Sequence, residues 1–108
     1  MYFPKSHYGE TGAKEWTEAL RLNFPDALDH DHPYSGWRKK ANWYTLKIGP
    51  VIVAIGSYYG DGLWKIWPSE ENYNDPSFDP LIGEFACDYA EINDESWYRL
   101  LEEIENFQ

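Results

Sequence analysis

The sequence predicts an α+β fold: a four-stranded antiparallel sheet, made of a three-strand meander plus a later strand, with an N-terminal and a C-terminal helix, in the order α-β-β-β-β-α. Three observations carry this. Apolar residues recur at helical spacing near each end of the chain. Three strand-like runs occupy the centre, joined by connections too short for parallel crossovers. A fourth, alternating run follows a Pro-rich stretch. The 108 residues suffice for one compact domain, residues 1–108, with one modest core.

The first helix is read over residues 12 to 24. Ala13, Trp16, Ala19, Leu20 and Phe24 make one apolar stripe, Thr11 or Gly12 supplies the cap, and Pro25 is the stop. Residues 25 to 42 are rich in turn formers, with one helical turn expected at Asp26-Ala27-Leu28. Trp43 to Ile48 is the first strand and Gly49-Pro50 a turn. Val51 to Tyr59 is the second strand, apolar on both faces over Val51-Ile52-Val53-Ala54-Ile55, as a central strand should be. Gly60-Asp61-Gly62 reads as a tight hairpin and Leu63 to Trp67 as the third strand.

Residues 68 to 81 are read as loop. Over Ile82 to Ala90, strict alternation sends Phe85, Cys87 and Tyr89 inward and Glu84, Ala86 and Asp88 outward. Residues 95 to 107 form the last helix, capped by Asn93 or Asp94. Trp97, Leu100, Leu101, Ile104 and Phe107 fall on its apolar side, and Glu95, Glu102, Glu103 and Glu105 on the other. Both helices need a partner, so they are expected to cover one face of the sheet. A small half-open barrel with the helices at its ends is the alternative.

Formal net charge is -10 and aromatic residues make up 19%. So many Trp and Tyr residues argue against disorder. The acidity argues against direct nucleic-acid binding and against docking on anionic lipid. The excess is regional, and its elements, the 68–81 loop, the outer face of the 82–90 strand and the outer face of the last helix, are expected to be contiguous and to mark one side of the molecule. Residues 1–67 hold 7 acids and 8 bases, whereas residues 68–108 hold 12 acids against Arg99 alone. Like charges gathered in a folded segment cost stability, which makes a binding role worth weighing against simple solubility.

The side chains expected to meet a partner are Glu70, Glu71, Tyr73, Asp75, Asp79, Glu84, Asp88, Glu91, Glu95, Glu102 and Glu103. Tyr73, in a polar stretch, is the expected exposed anchor. Trp64, Trp67, Phe78 and Tyr89 lie in or beside the acidic half, and Tyr34 and Trp37 sit in the first long loop.

Other chemistry has weaker signals. Asp29-His30-Asp31-His32 lacks a further ligand set and reads as a polar loop. Cys87, the single cysteine, permits no internal disulfide and is expected as a small core residue with no base beside it. His7 near the terminus is expected to reach it only by accident of folding. Gly56, Gly60 and Gly62 flank a hairpin and precede no helix, so they make no phosphate loop. No carboxylate pair stands out for hydrolysis. Arg38-Lys39-Lys40 is basic enough to meet the acidic face of a second copy in a homodimer.

No cofactor, catalytic residue or metal is expected, and the start shows no secretory signal, so the simplest location is cytosolic. The expected function is a small acidic inhibitor occupying a basic, nucleic-acid-binding surface of a partner, by mimicry of nucleic acid, in the manner of phage anti-defence or anti-CRISPR proteins. An immunity protein neutralising a nuclease toxin is the alternative. A small enzyme or ligand-binding domain with an aromatic-lined pocket is the second alternative.

Overall fold

The structure is a computed structural model that describes residues 1–7, 9–30, 41–58, 61–87, 90–91 and 94–108, with backbone alone for 9, 10, 41, 42, 58, 90 and 91. The chain runs α1 (Gly9–Asn23), β1 (Leu28–Asp29), β2 (Ala41–Ile48), β3 (Val51–Tyr58), β4 (Asp61–Trp67), α2 (Glu70–Tyr73), β5 (Leu81–Cys87), β6 (Ala90–Glu91) and α3 (Glu95–Asn106). The six strands form one antiparallel sheet in sequence order. The four expected strands are its body. Two two-residue strands, β1 and β6, extend it at the edges, so the count of four is corrected to six.

Several boundaries move. Helix α1 begins at Gly9, so neither Thr11 nor Gly12 is its cap. Gly12 lies inside the helix, where the chain at His7 passes so close that a Cβ would sit 2.5 Å from the His7 carbonyl carbon. The helical turn expected at Asp26-Ala27-Leu28 is instead a turn at Pro25-Asp26, closed by the Ala27 amide on the Phe24 carbonyl (2.9 Å), and Leu28 is already strand, paired to Lys47. Asp61 and Gly62 belong to β4, opposite Tyr58 and Ser57. Gly49 does turn the chain, at φ 59, a backbone angle that glycine adopts without a Cβ penalty.

One face of the sheet packs against both long helices. Its core joins Ala13, Trp16, Ala19 and Leu20 of α1 to Trp97, Leu100, Leu101 and Ile104 of α3. From the sheet come Leu46, Ile48, Val51, Val53, Ile55, Trp64, Ile66, Phe85 and Ala86. Trp16 lies at the centre, stacked on Phe85 (4.4 Å between centroids) and edge-on to Trp97 (5.0 Å). Phe107, expected in this stripe, instead follows α3 as its C-cap and is 36% exposed.

The other face is apolar too. Trp43, Ile52, Ala54 and Trp67 form a second buried cluster, closed by Leu63, Tyr73 and Phe78. Strand β3 is therefore buried on both sides, as its composition requires. Its second face is covered from α2, a turn that the Pro-rich composition disguised. The Ser69 hydroxyl accepts from the Asn72 amide and caps it.

Alternation fails in β5. Gly62 pairs with Ala86 and Leu63 with Glu84, which leaves Phe85 unopposed in a bulge. The extra residue puts Phe85 and Ala86 together in the helix-side core. This corrects the expectation that Ala86 points outward with Glu84 and Cys87 inward with Phe85. Asp88 and Tyr89 lie outside the described residues.

Candidate functional site

The acidic residues are carried on both sides of the sheet. Helix α3 packs on β4 and β5 from one side, and α2 on β3 and β4 from the other. Glu95, Glu102 and Glu103 belong to the first layer, Glu70 and Glu71 to the second. Glu84 is exposed on β5, while Asp75 and Asp79 lie exposed between α2 and β5. The carboxylates therefore wrap the molecule and do not share one flat face. Asp88 lies outside the described residues, and Glu91 is described by backbone alone, at β6.

Their local partners differ. Glu70 has two local partners: His30 Nε2 lies 2.8 and 3.0 Å from its two oxygens, and Lys47 Nζ is 4.0 Å away. Asp75 accepts from both the hydroxyl (2.7 Å) and the backbone amide (2.9 Å) of Ser77. Those bonds hold its carboxyl below the usual carboxylate value, the hydroxyl contributing most. Among the described residues, Glu71, Asp79, Glu84, Glu102, Glu103 and Glu105 make no ion pair. Arg99, the single cation of this half, lies with its guanidinium 5.4 Å from the centre of the Trp64 ring.

Tyr73 is not an exposed anchor. It meets Trp67 edge-on at 4.9 Å and His30 at 4.9 Å, and it closes the second core cluster. Trp64 and Trp67 are buried, and Phe78 packs against the same cluster as Tyr73. Tyr34, Trp37, Tyr89 and the basic run Arg38-Lys39-Lys40 lie outside the described residues, as do Asp31 and His32. Of the Asp29-to-His32 motif, Asp29 pairs with Arg21 and His30 with Glu70. Both are structural ties between β1 and its neighbours.

Two groupings escaped the sequence reading. The first is a chain of polar contacts at the start of the protein. Trp16 Nε1 donates to His7 Nδ1 at 2.8 Å, and His7 Nε2 lies 2.9 Å from Asp94 Oδ1. An indole N–H can only donate, so Nδ1 is the acceptor and Nε2–H donates to the carboxylate. His7 thus joins the entry segment to α1 and to the cap of α3. The second brings Asp61, Glu84 and Cys87 together, with one donor atom from each all within 4.8 Å of one another. The bulge at Phe85 is what turns Cys87 to the side of Glu84. A thiol and two carboxylates are one donor short of a closed tetrahedral zinc site.

Exposed aromatic residues lie elsewhere. Tyr2, Phe3 and Tyr98 are 53%, 47% and 51% exposed. Phe3 meets Tyr98 edge-on at 5.9 Å. Tyr2 is held by its backbone, whose amide donates to Asn23 Oδ1 (2.9 Å) and whose carbonyl accepts from Asn23 Nδ2 (2.8 Å).

The molecule is thus a sheet-and-helix domain with an unusually acidic exterior and no helix, among the described residues, long and apolar enough to cross a membrane. Neither a protein-family model, nor a curated protein, nor a solved structure matches the chain.

Proposed function

We propose that the domain is a small inhibitor that binds a basic surface of another protein, one that nucleic acid otherwise occupies. The supporting observation is the set of six carboxylates, Glu71, Asp79, Glu84, Glu102, Glu103 and Glu105, that stand without an ion pair among the described residues. Charges set on the capped turn of α2, the segment after it, strand β5 and helix α3 repel one another. Their favourable use is to meet lysines and arginines of a partner, where association is steered, fast and salt-sensitive. A surface that competes with nucleic acid needs negative charge at several separated points on a rigid body, and the α3 layer alone offers Glu102, Glu103 and Glu105.

Capture of host proteins on the immobilised domain, at low and at high salt, tests the reading. The expected captured protein is a nuclease or nucleic-acid-binding complex that leaves the domain when duplex DNA is added and is lost at high salt. A variant carrying Glu71→Lys, Asp79→Lys, Glu84→Lys and Glu102→Lys should not capture it, while circular dichroism stays native. Capture unchanged in that variant, or undisturbed by DNA, overturns the proposal.

A further inference from the structure

We infer that the partner is gripped through arginine side chains at the outer stripe of α3, where Tyr98 and Phe3 of the entry segment present an aromatic platform beside a row of carboxylates. The inference rests on the proposed function and assigns it a centre. Glu95, Tyr98, Glu102 and Glu105 follow one another at spacings of three, four and three residues, so they line one outer face of the helix. The opposite face holds the buried Trp97, Leu100, Leu101 and Ile104.

Tyr98 is half exposed and held by Phe3, which is half exposed itself. The segment bearing Phe3 is fixed on either side, at Tyr2 by Asn23 and at His7 by Trp16 and Asp94. Two aromatic rings kept on the surface in fixed positions offer contact area at small entropic cost. The occupant follows from the charges. Glu102 and Glu105 make no ion pair among the described residues, and Arg99 is turned onto the Trp64 ring. A guanidinium is planar, stacks on a phenol ring, and directs forked donors sideways to a carboxylate, whereas an ammonium is a compact point charge. Tyr98 with Glu102 one turn further on matches the first cation better than the second.

The probes are an oligoarginine and an oligolysine peptide of equal length, titrated into the whole protein and followed by amide NMR shifts and fluorescence anisotropy. The expected result is shifts centred on Phe3, Tyr98, Glu102 and Glu105, with the arginine peptide bound at least about threefold more tightly. In Tyr98→Ala that preference should vanish while lysine affinity holds, and Tyr98→Phe should retain it. A preference that survives Tyr98→Ala overturns the inference. So do equal affinities with shifts spread over Glu71, Asp79 and Glu84, an outcome that leaves the proposed function standing. If neither peptide binds, both readings fall.

Discussion

Gly83→Ala is the sharpest test of how the sheet is packed. Gly83 lies in β5 directly opposite Trp64 in β4. A Cβ there would fall 2.0 Å from Trp64 Cε2 and 2.1 Å from Cζ2. Ordinary carbon contacts are about 3.5–4.0 Å, so the ring must retreat by roughly 1.5 Å or more. It has little room to do so. Trp64 is fully buried, and its Nε1 donates to Ser96 Oγ at 3.0 Å, tying β4 to α3. Overpacking a filled core costs about 1–3 kcal/mol. Loss of the indole hydrogen bond adds about 1 kcal/mol. The expected loss is therefore about 2–4 kcal/mol, measured by urea unfolding followed through tryptophan fluorescence. For a domain of this size each kcal/mol lowers Tm by about 4–8 °C, so thermal unfolding reports the same change independently. A loss below about 0.5 kcal/mol, with the native spectrum kept, would refute the packing argument.

Other perturbations have equally definite outcomes. His7→Ala leaves the buried indole N–H of Trp16 without its acceptor and should cost about 1–3 kcal/mol in chemical unfolding. Asp94→Ala, which removes an exposed partner of His7, should cost under about 1 kcal/mol in the same assay. Tyr73→Ala should destabilise by about 2–4 kcal/mol, because the ring closes the second cluster against Trp67. A surface anchor would lose almost nothing in the same unfolding measurement. Ser77→Ala removes both the hydroxyl bond and the main cause of the lowered Asp75 pKa, so NMR titration should find that carboxyl moved back up. A depressed carboxylate stabilises the fold above its unfolded pKa and loses that contribution as pH falls through its folded pKa. Wild type and Ser77→Ala should accordingly converge in stability at acid pH, and a constant gap across that range would contradict the assignment.

What the sequence reveals and what it hides follow from the range of the interactions involved. The long helices are legible because amphipathic spacing is local: Trp16 and Leu20, or Trp97, Leu101 and Ile104, mark their buried sides without reference to anything else. Strand β3 is legible because five apolar residues in a row need cover on both faces. That same run needs a second apolar layer, yet Tyr73 in its polar stretch reads as exposed; Trp67, Tyr73 and Phe78 are what supply the layer. Helix α2 had a local signal in Ser69 followed by Glu70 and Glu71, outweighed by Pro68 and Pro76. The bulge at Phe85 has no local signal, since alternation read from a single strand cannot show what the neighbouring strand skips. The same holds for the acidic surface. Counting charge along the chain finds the acidic half, but only the sheet between α2 and α3 shows that its members face different ways. His7 meeting Asp94, and Phe3 meeting Tyr98, join opposite ends of the chain and lie beyond any window of sequence.

The glycines of the sheet carry a consequence for folding. Gly56 lies under Trp43, Gly62 under Phe85 and Gly83 under Trp64, each a notch filled by a ring from the adjacent strand. A slip of two residues would keep every side chain on its proper face, so the hydrophobic pattern alone does not forbid it. Such a slip would set Trp43 against Ala54 or Tyr58, and Trp64 against Leu81 or Phe85, where no notch awaits. The rings therefore act as keys that admit one alignment of each strand pair. In a sheet whose central strand is greasy on both sides, that discrimination guards the chain against misaligned pairings on the way to the native state.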